Sequence, residues 1–435
     1  MYAKRLNLVR FQRIGFYLLL EKKSVSFQFG NVLFYFGDFL RGKVYNRAAL
    51  VLHFKIKRSI LIALVQTAAA RVVYVIKIFK IENVYHIGLY LMSFADEGAY
   101  HSEREFMSEQ TAKKAIDFLI EKSGNRKVLE VDFFGGEPLM CLQTIKNVVA
   151  YAREKGGKAG KKFLFTTTTN ALLLDDDAID FFNREMENVV LSLDGRREVH
   201  DAIRKTKNGK GSFDYVINNI KKFVRSRGDK SYYVRGTFTA KNLDFSNDVI
   251  FLAENGFDSI SMEPVVTDID DLAIKAEHLP RILDEYEILC DKYLDKYEKG
   301  EGFNFFHFNI DLEGGVCLQK KVSACGAGNE YFSVVPNGDI YPCHQFAGDK
   351  NFLMGNVYDG ALDGQIREKF ASNCLFTRKD CEGCFAKFIC SGGCSANNYH
   401  FAGDMNKPYG ITCDMMKKRI ECGMHVLARK KAGKR

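Results

Sequence analysis

The chain has 435 residues, 46% hydrophobic and 27% charged, with 36 Gly, 6 Pro and no Trp; this composition excludes global disorder and collagen-like or proline-rich architecture. The net charge of +9 is lopsided, because residues 1–82 carry 15 basic against 3 acidic residues and the rest of the chain is net acidic by 3. No apolar run reaches the ~20 residues a bilayer-spanning helix needs, and the nearest, 60–70, is closed off by Arg58 and Arg71.

The first 82 residues are aromatic, β-branched and poor in acids, without a clear period. Helix and strand are equally defensible over 11–20 and 60–79. Met1 to Arg13 is basic, but the apolar stretch 14–20 runs into Glu21, Lys22 and Lys23 with no small-residue cleavage site, so no export signal is read and the cytoplasm is the expected compartment.

From Val84 onward, short β-rich runs alternate with amphipathic stretches. Strands are predicted over 128–134 (VLEVDFF), 162–168, 188–193, 232–239 and 259–263. Helices are predicted over 139–154, 175–183, 213–226, 246–254 and 279–298. Alternation at this spacing implies βαβ units and a parallel sheet. The turns Gly135-Gly136 and Asp194-Gly195 fall where strands hand over to helices, on the face where parallel barrels hold their active sites. After about residue 311 the rhythm stops, and Gly and Cys take over. A domain boundary is expected there.

Ten of the 12 cysteines follow residue 316, and only Cys141 and Cys290 precede it. In a long chain without an export signal, such a cluster points to metal ligation before disulfides. Cys317 and Cys325 open the array. Cys343 follows in GDIYPC, then Cys381, Cys384, Cys390 and Cys394 in CEGCFAKFICSGGC, and finally Cys413. Eight thiolates suit two 4Fe-4S clusters; two four-cysteine zinc sites are the alternative on spacing alone. Cys374 and Cys422 fall outside the pattern and read as free thiols, and Cys141 and Cys290 as small buried hydrophobes. No nucleic-acid recognition motif is present, and the run Arg429, Lys430, Lys431, Lys434, Arg435 reads as a solvated tail.

This array resembles the SPASM domain of radical S-adenosylmethionine (SAM) peptide-modifying enzymes. The resemblance implies one auxiliary 4Fe-4S cluster on Cys381, Cys384, Cys390 and Cys413. It implies a second on Cys325, Cys343 and Cys394, with Cys317 as fourth ligand or an iron left open for a substrate cysteine. FFGGEPLM (133–140), TTTTNALL (166–173, with Ala171 where the family has Gly) and LSLDGRREVHDAIR (191–204) resemble the strand motifs of the same family. They assign Gly135, Gly136 and Glu137 to the methionine end of SAM, with Glu137 accepting from its ammonium, and Ser192 and Arg204 to ribose and carboxylate. An arginine fork suits a carboxylate. Asp194 and His200 are expected to cap a turn and a helix. FADEGAYH, YYVRGTFT and YPCHQF bring the resemblance nearest to maturases of six-cysteine ribosomal peptides called SCIFF, over about residues 94–425.

The implied fold is α/β: a partial (β/α)6 radical SAM barrel over 83–310, then a cysteine-rich SPASM domain over 311–435, behind a basic segment over 1–82. The implied function is thioether crosslinking of a cysteine-rich precursor peptide, with SAM, an electron donor, no nucleic acid and no membrane. A 5′-deoxyadenosyl radical takes a hydrogen from a peptide carbon, and a cysteine sulfur captures that carbon.

One departure stands against activity. The family's Cys-x3-Cys-x2-Cys belongs directly before Phe94, where this chain reads HIGLYLMSFADEG (86–98) without a cysteine. Iron–sulfur clusters rely on thiolates, so the catalytic cluster is in doubt and no catalytic residue is assigned. Residues 1–93 are read as partly out of frame; evolved loss of the radical cluster and replacement of the N-terminus are rival readings. A non-catalytic iron–sulfur or zinc scaffold that binds a peptide is the alternative function.

Overall fold

The computed structural model describes residues 105–310 and 322–433, and upstream of them the backbone of six strands. The chain divides into two compact units, Met1–Tyr74 and Val75–Arg435. The first holds an antiparallel meander of β1 (Asn7–Phe11), β2 (Phe16–Glu21), β3 (Ser24–Phe29) and β4 (Val32–Gly37). Within the open reading over 11–20, Phe11 and residues 16–20 are strand, while 12–15 and 60–79 lie outside the described residues.

The second unit is built on a ten-stranded sheet. Strands β5 (Tyr85–Tyr90), β8 (Val128–Phe134), β9 (Lys162–Thr169), β10 (Asn188–Ser192), β11 (Ser231–Phe238) and β12 (Ser259–Pro264) run parallel in that order, and β13 (Asn304–Phe305) continues them. On the other edge, β14 (Tyr331–Val334) pairs parallel with β5. β15 (Asp339–Tyr341) and β16 (Gly355–Asn356) then add antiparallel. A separate short pair joins β6 (Met92–Ser93) to β7 (Glu105–Phe106). The parallel six-strand α/β core agrees with the expected architecture.

Alternation along the strands separates two faces. On β9, Phe163, Phe165, Thr167 and Thr169 are buried under helices, while Leu164, Thr166 and Thr168 are half-buried on the inner face. Helix Leu142–Lys158 approaches so closely at Gly156 that a Cβ there would lie 2.6 Å from the Phe163 ring. Each fully buried Phe contributes about 1.5–3 kcal/mol. Helix Asp176–Glu185 starts where Asp175 Oδ1 accepts from Ala178 N at 2.9 Å, the side-chain cap a helix start favours. Buried Arg227 donates to Phe182 O, Met186 O and Ser231 O and so ties the base of three elements together.

The helix predicted over 279–298 is Leu279–Glu298, and it packs against the C-terminal helix Gly410–Ala432. Cys290 Sγ lies 3.7 Å from Cys422 O, and Cys422 Sγ lies 3.6 Å from Tyr286 O. Cys422 is thus a buried interhelical contact. The basic run read as a solvated tail is, through Lys431, the last turn of this helix: Lys430 donates to Tyr293 Oη at 2.7 Å, and Arg429 pairs with Glu298. A second, smaller core gathers Tyr341, Cys343, Phe346, Phe352, Phe370 and Met405. No helix among the described residues is long and apolar enough to cross a membrane.

Candidate functional site

The C-terminal ends of β8 to β11 carry two polar networks, one around Glu137 and one around Asp194. After β8, Gly135 takes φ +130°, a region that favours glycine, and Gly136 follows it into Glu137. Glu137 is 4% exposed. Its Oε1 accepts from Leu139 N at 3.0 Å and Thr169 Oγ1 at 2.6 Å, and its Oε2 accepts from Asn170 N at 2.7 Å. Burial pushes the carboxyl above its ordinary value, against these three donors. Three of the carboxylate's acceptor positions are thus engaged by the chain itself, and Glu137 braces the Gly-Gly turn to the end of β9. Ala171, the family's Gly position, adopts φ +60° while fully buried. The backbone here is left-handed even without the glycine.

Beyond β10, Asp194 is 2% exposed and accepts Arg204 Nε at 2.6 Å, Arg204 Nη2 at 3.1 Å and Thr237 N at 3.0 Å. The Arg204 fork is therefore paired within the chain, and Asp194, expected to cap a turn, instead ties that fork to the end of β11. His200 is fully buried, with Nε2 3.0 Å from Ser212 Oγ, and burial lowers its pKa; it anchors the helix Arg197–Ile203. Ser192, half-buried, ends β10 opposite Arg235. Gly195, at φ +120°, stands where a Cβ would lie 2.3 Å from Asp248 Cβ. Buried Asp248 in turn receives Arg196 Nε at 2.8 Å.

The inner face is polar. Thr166 Oγ1 donates to Asp132 at 2.7 Å. Glu263 meets His307 Nε2 at 3.4 Å and Arg419 Nη1 at 3.3 Å. His344, one residue after Cys343, lies against Phe134 with ring centroids 4.9 Å apart. Its Nδ1 is 3.4 Å from Tyr331 Oη, and burial lowers its pKa in the field of Asp132 and Arg235. This histidine was not singled out from the sequence, although YPCHQF contains it; nothing in that string says that the ring reaches the barrel.

Seven of the eight candidate cysteines, Cys325 to Cys413, lie among the described residues. Cys413 is pushed up to about 11 by burial and by Cys390 and Cys381. Cys381 and Cys390 rise through burial, with Cys384 contributing to both. Cys343, which is buried, rises through burial, then Cys394 and Cys325. The donor set, thiols at short spacing, is of the chemistry iron–sulfur ligation uses. Among the described residues no three such side chains converge as a formed metal site, and Cys317 lies outside them. Residues 83–104 contain no cysteine, so the chain does not fit a three-thiolate radical cluster.

Residues 93–238 match the radical SAM superfamily model. The radical SAM cyclopropyl synthase TigE of Paramaledivibacter caminithermalis is 24% identical over 339 residues, 74% of this chain and 66% of that protein. The serine-type anaerobic sulfatase-maturating enzyme of Bacteroides thetaiotaomicron is 28% identical over 341 residues, 71% of this chain and 79% of that one. In fold, the chain is similar to anSMEcpe with bound AdoMet and Cp18Cys peptide, at a TM-score of 0.67, 18% identity, and 81% and 100% coverage of the two chains. Streptococcus suis SuiB bound to S-adenosylmethionine matches at a TM-score of 0.50, 19% identity, and 81% and 83% coverage.

Proposed function

We propose that this chain has the architecture of a thioether-forming radical SAM peptide maturase but, as written, binds its partners without the radical step. The single observation that carries this reading is a disparity in thiols. A cysteine array follows the radical SAM sheet, and His344 beside Cys343 packs on Phe134 at the end of β8, yet the loop after β5, which should hold the radical cluster, has no cysteine. The division into a basic segment (1–82), a barrel (83–310) and a SPASM domain (311–435) belongs to the same reading.

Gly135, Gly136 and Glu137 shape the turn assigned to the methionine end of SAM, and Ser192 and Arg204 the ribose and carboxylate contacts. The polar inner face orients a cysteine-rich precursor peptide and excludes water from it. The eight cysteines from Cys317 to Cys413 hold two auxiliary clusters, which supply electron transfer with an external donor and an iron site for a substrate sulfur. The cytoplasm is the assigned compartment. A non-catalytic iron–sulfur scaffold is the second reading, favoured by the same missing thiolates.

Anaerobic incubation with SAM, reductant and a cysteine-rich peptide tests the proposal. SAM binding measured by equilibrium dialysis is expected, with no 5′-deoxyadenosine above background by mass spectrometry. Cleavage of SAM by the unmodified chain would overturn it.

A further inference from the structure

Arg378 is a buried cation without a carboxylate partner among the described residues. It is 2% exposed. A guanidinium stays charged, and burying an ion costs several kcal/mol unless an opposite charge compensates. Its hydrogen bonds go to neutral acceptors: Nη1 to Ser391 O at 2.8 Å, and Nη2 to Asn373 Oδ1 at 3.1 Å and Ser395 Oγ at 3.2 Å. Its Nε is buried without a partner.

The position of this side chain is informative. Ser391 follows Cys390, and Ser395 follows Cys394. The Arg378 carbonyl accepts from Cys381 N at 2.9 Å. Gly392, at φ +82°, lets the fork in, since a Cβ there would lie 2.2 Å from Nη1. The Arg378 carbonyl thus touches the backbone of Cys381, and its fork touches the residues next to Cys390 and Cys394. Cys381 and Cys390 belong to one set, and Cys394 to the other. Neutral thiols would leave the cation uncompensated, whereas metal-bound cysteines are deprotonated.

We propose that Arg378 is the shared counter-cation of both auxiliary iron–sulfur sites and holds their reduction potentials up. The inference rests on the iron–sulfur reading of the two thiol sets. Reduction of a cluster takes one electron from the external donor and adds one negative charge. A nearby buried cation favours that reduced form, because charge and hydrogen bonding around the sulfurs set the potential.

The test is EPR-monitored titration of the reconstituted full-length chain with dithionite, beside iron and sulfide analysis. Arg378→Lys keeps the charge and is expected to titrate near wild type. Arg378→Gln removes it, and at the wild-type midpoint the reduced-to-oxidised ratio of both signals should fall at least tenfold, 59 mV for a one-electron couple. Wild-type potentials in an iron-replete Arg378→Gln, or a shift in only one signal, would overturn the inference. If Arg378→Gln loses its iron, Arg378→Lys decides: retained clusters at wild-type potential support the role, and equal loss shows a structural brace. Zinc without sulfide in the wild type would mark failure of the iron–sulfur reading itself, before any variant is made, and the inference falls with it.

Discussion

Replacing Glu137 separates two roles for a residue that the family resemblance assigns to SAM and the structure occupies with its own chain. Glu137→Ala leaves the buried Leu139 N–H and the Asn170 N–H without their carboxylate partner, while the Thr169 hydroxyl can rotate. At about 1–3 kcal/mol for each orphaned buried donor, the loss should be about 2–4 kcal/mol after relief of the buried charge. Glu137→Gln keeps one oxygen for Leu139 and Thr169 but turns an NH2 toward Asn170, so it should cost less, about 1–3 kcal/mol. The pH dependence has a definite sign. Burial raises the Glu137 pKa, so its contribution to stability is fully present below its ordinary value and is lost as pH rises through the folded value. Glutamine does not titrate, so the gap between wild type and Glu137→Gln should narrow as pH climbs from acid to neutral. Urea unfolding of both variants across that range, with SAM binding measured alongside, is the assay. A Glu137→Ala protein within about 1 kcal/mol of wild type that has lost SAM binding would refute the bracing argument, as would a gap that widens with pH.

Two further outcomes follow from the same geometry. Cys384→Ala should remove one cluster's iron and destabilise the cysteine-rich region, because ligand binding there is also folding energy, whereas Cys422→Ala should keep all its iron; equal iron loss would break the ligand assignment. Gly195→Ala places a methyl on Asp248 in a backbone region L residues avoid, and should cost about 2–3 kcal/mol or more by thermal unfolding.

The strand 128–134 and the helix 279–298 were legible to the residue. A hydrophobic run ending in Gly-Gly and an apolar stripe that includes Ile282, Tyr286, Leu289 and Tyr293 are local patterns that need no partner to be read. Strand β14 was not legible. The helix–strand rhythm ends near 311, but the sheet does not: Tyr331–Val334 pairs with β5 across more than two hundred residues. That pairing is set by tertiary contact. The C-terminal helix was missed for a related reason, since its buried residues, Met415, Arg419, Ile420, Cys422 and Val426, mix polar and apolar types and blur the stripe. At the site, the motif located Glu137 and Arg204 but could not reveal their partners. Thr169 comes from the next strand, and Asp194 takes the Arg204 fork that the motif reserves for a ligand. Short spacings with paired glycines mark the cysteine array in the sequence. Arg378, which joins the groups, carries no such signature in sequence.

The most direct test of the central claim is the iron and sulfide content of the anaerobically reconstituted chain, beside that of a variant carrying Cys-x3-Cys-x2-Cys before Phe94 with a family-type N-terminal region. The unmodified chain should hold about eight irons per chain, two 4Fe-4S clusters, and the restored chain about twelve, with SAM cleavage. About twelve irons in the unmodified chain, or zinc without sulfide, would contradict the account.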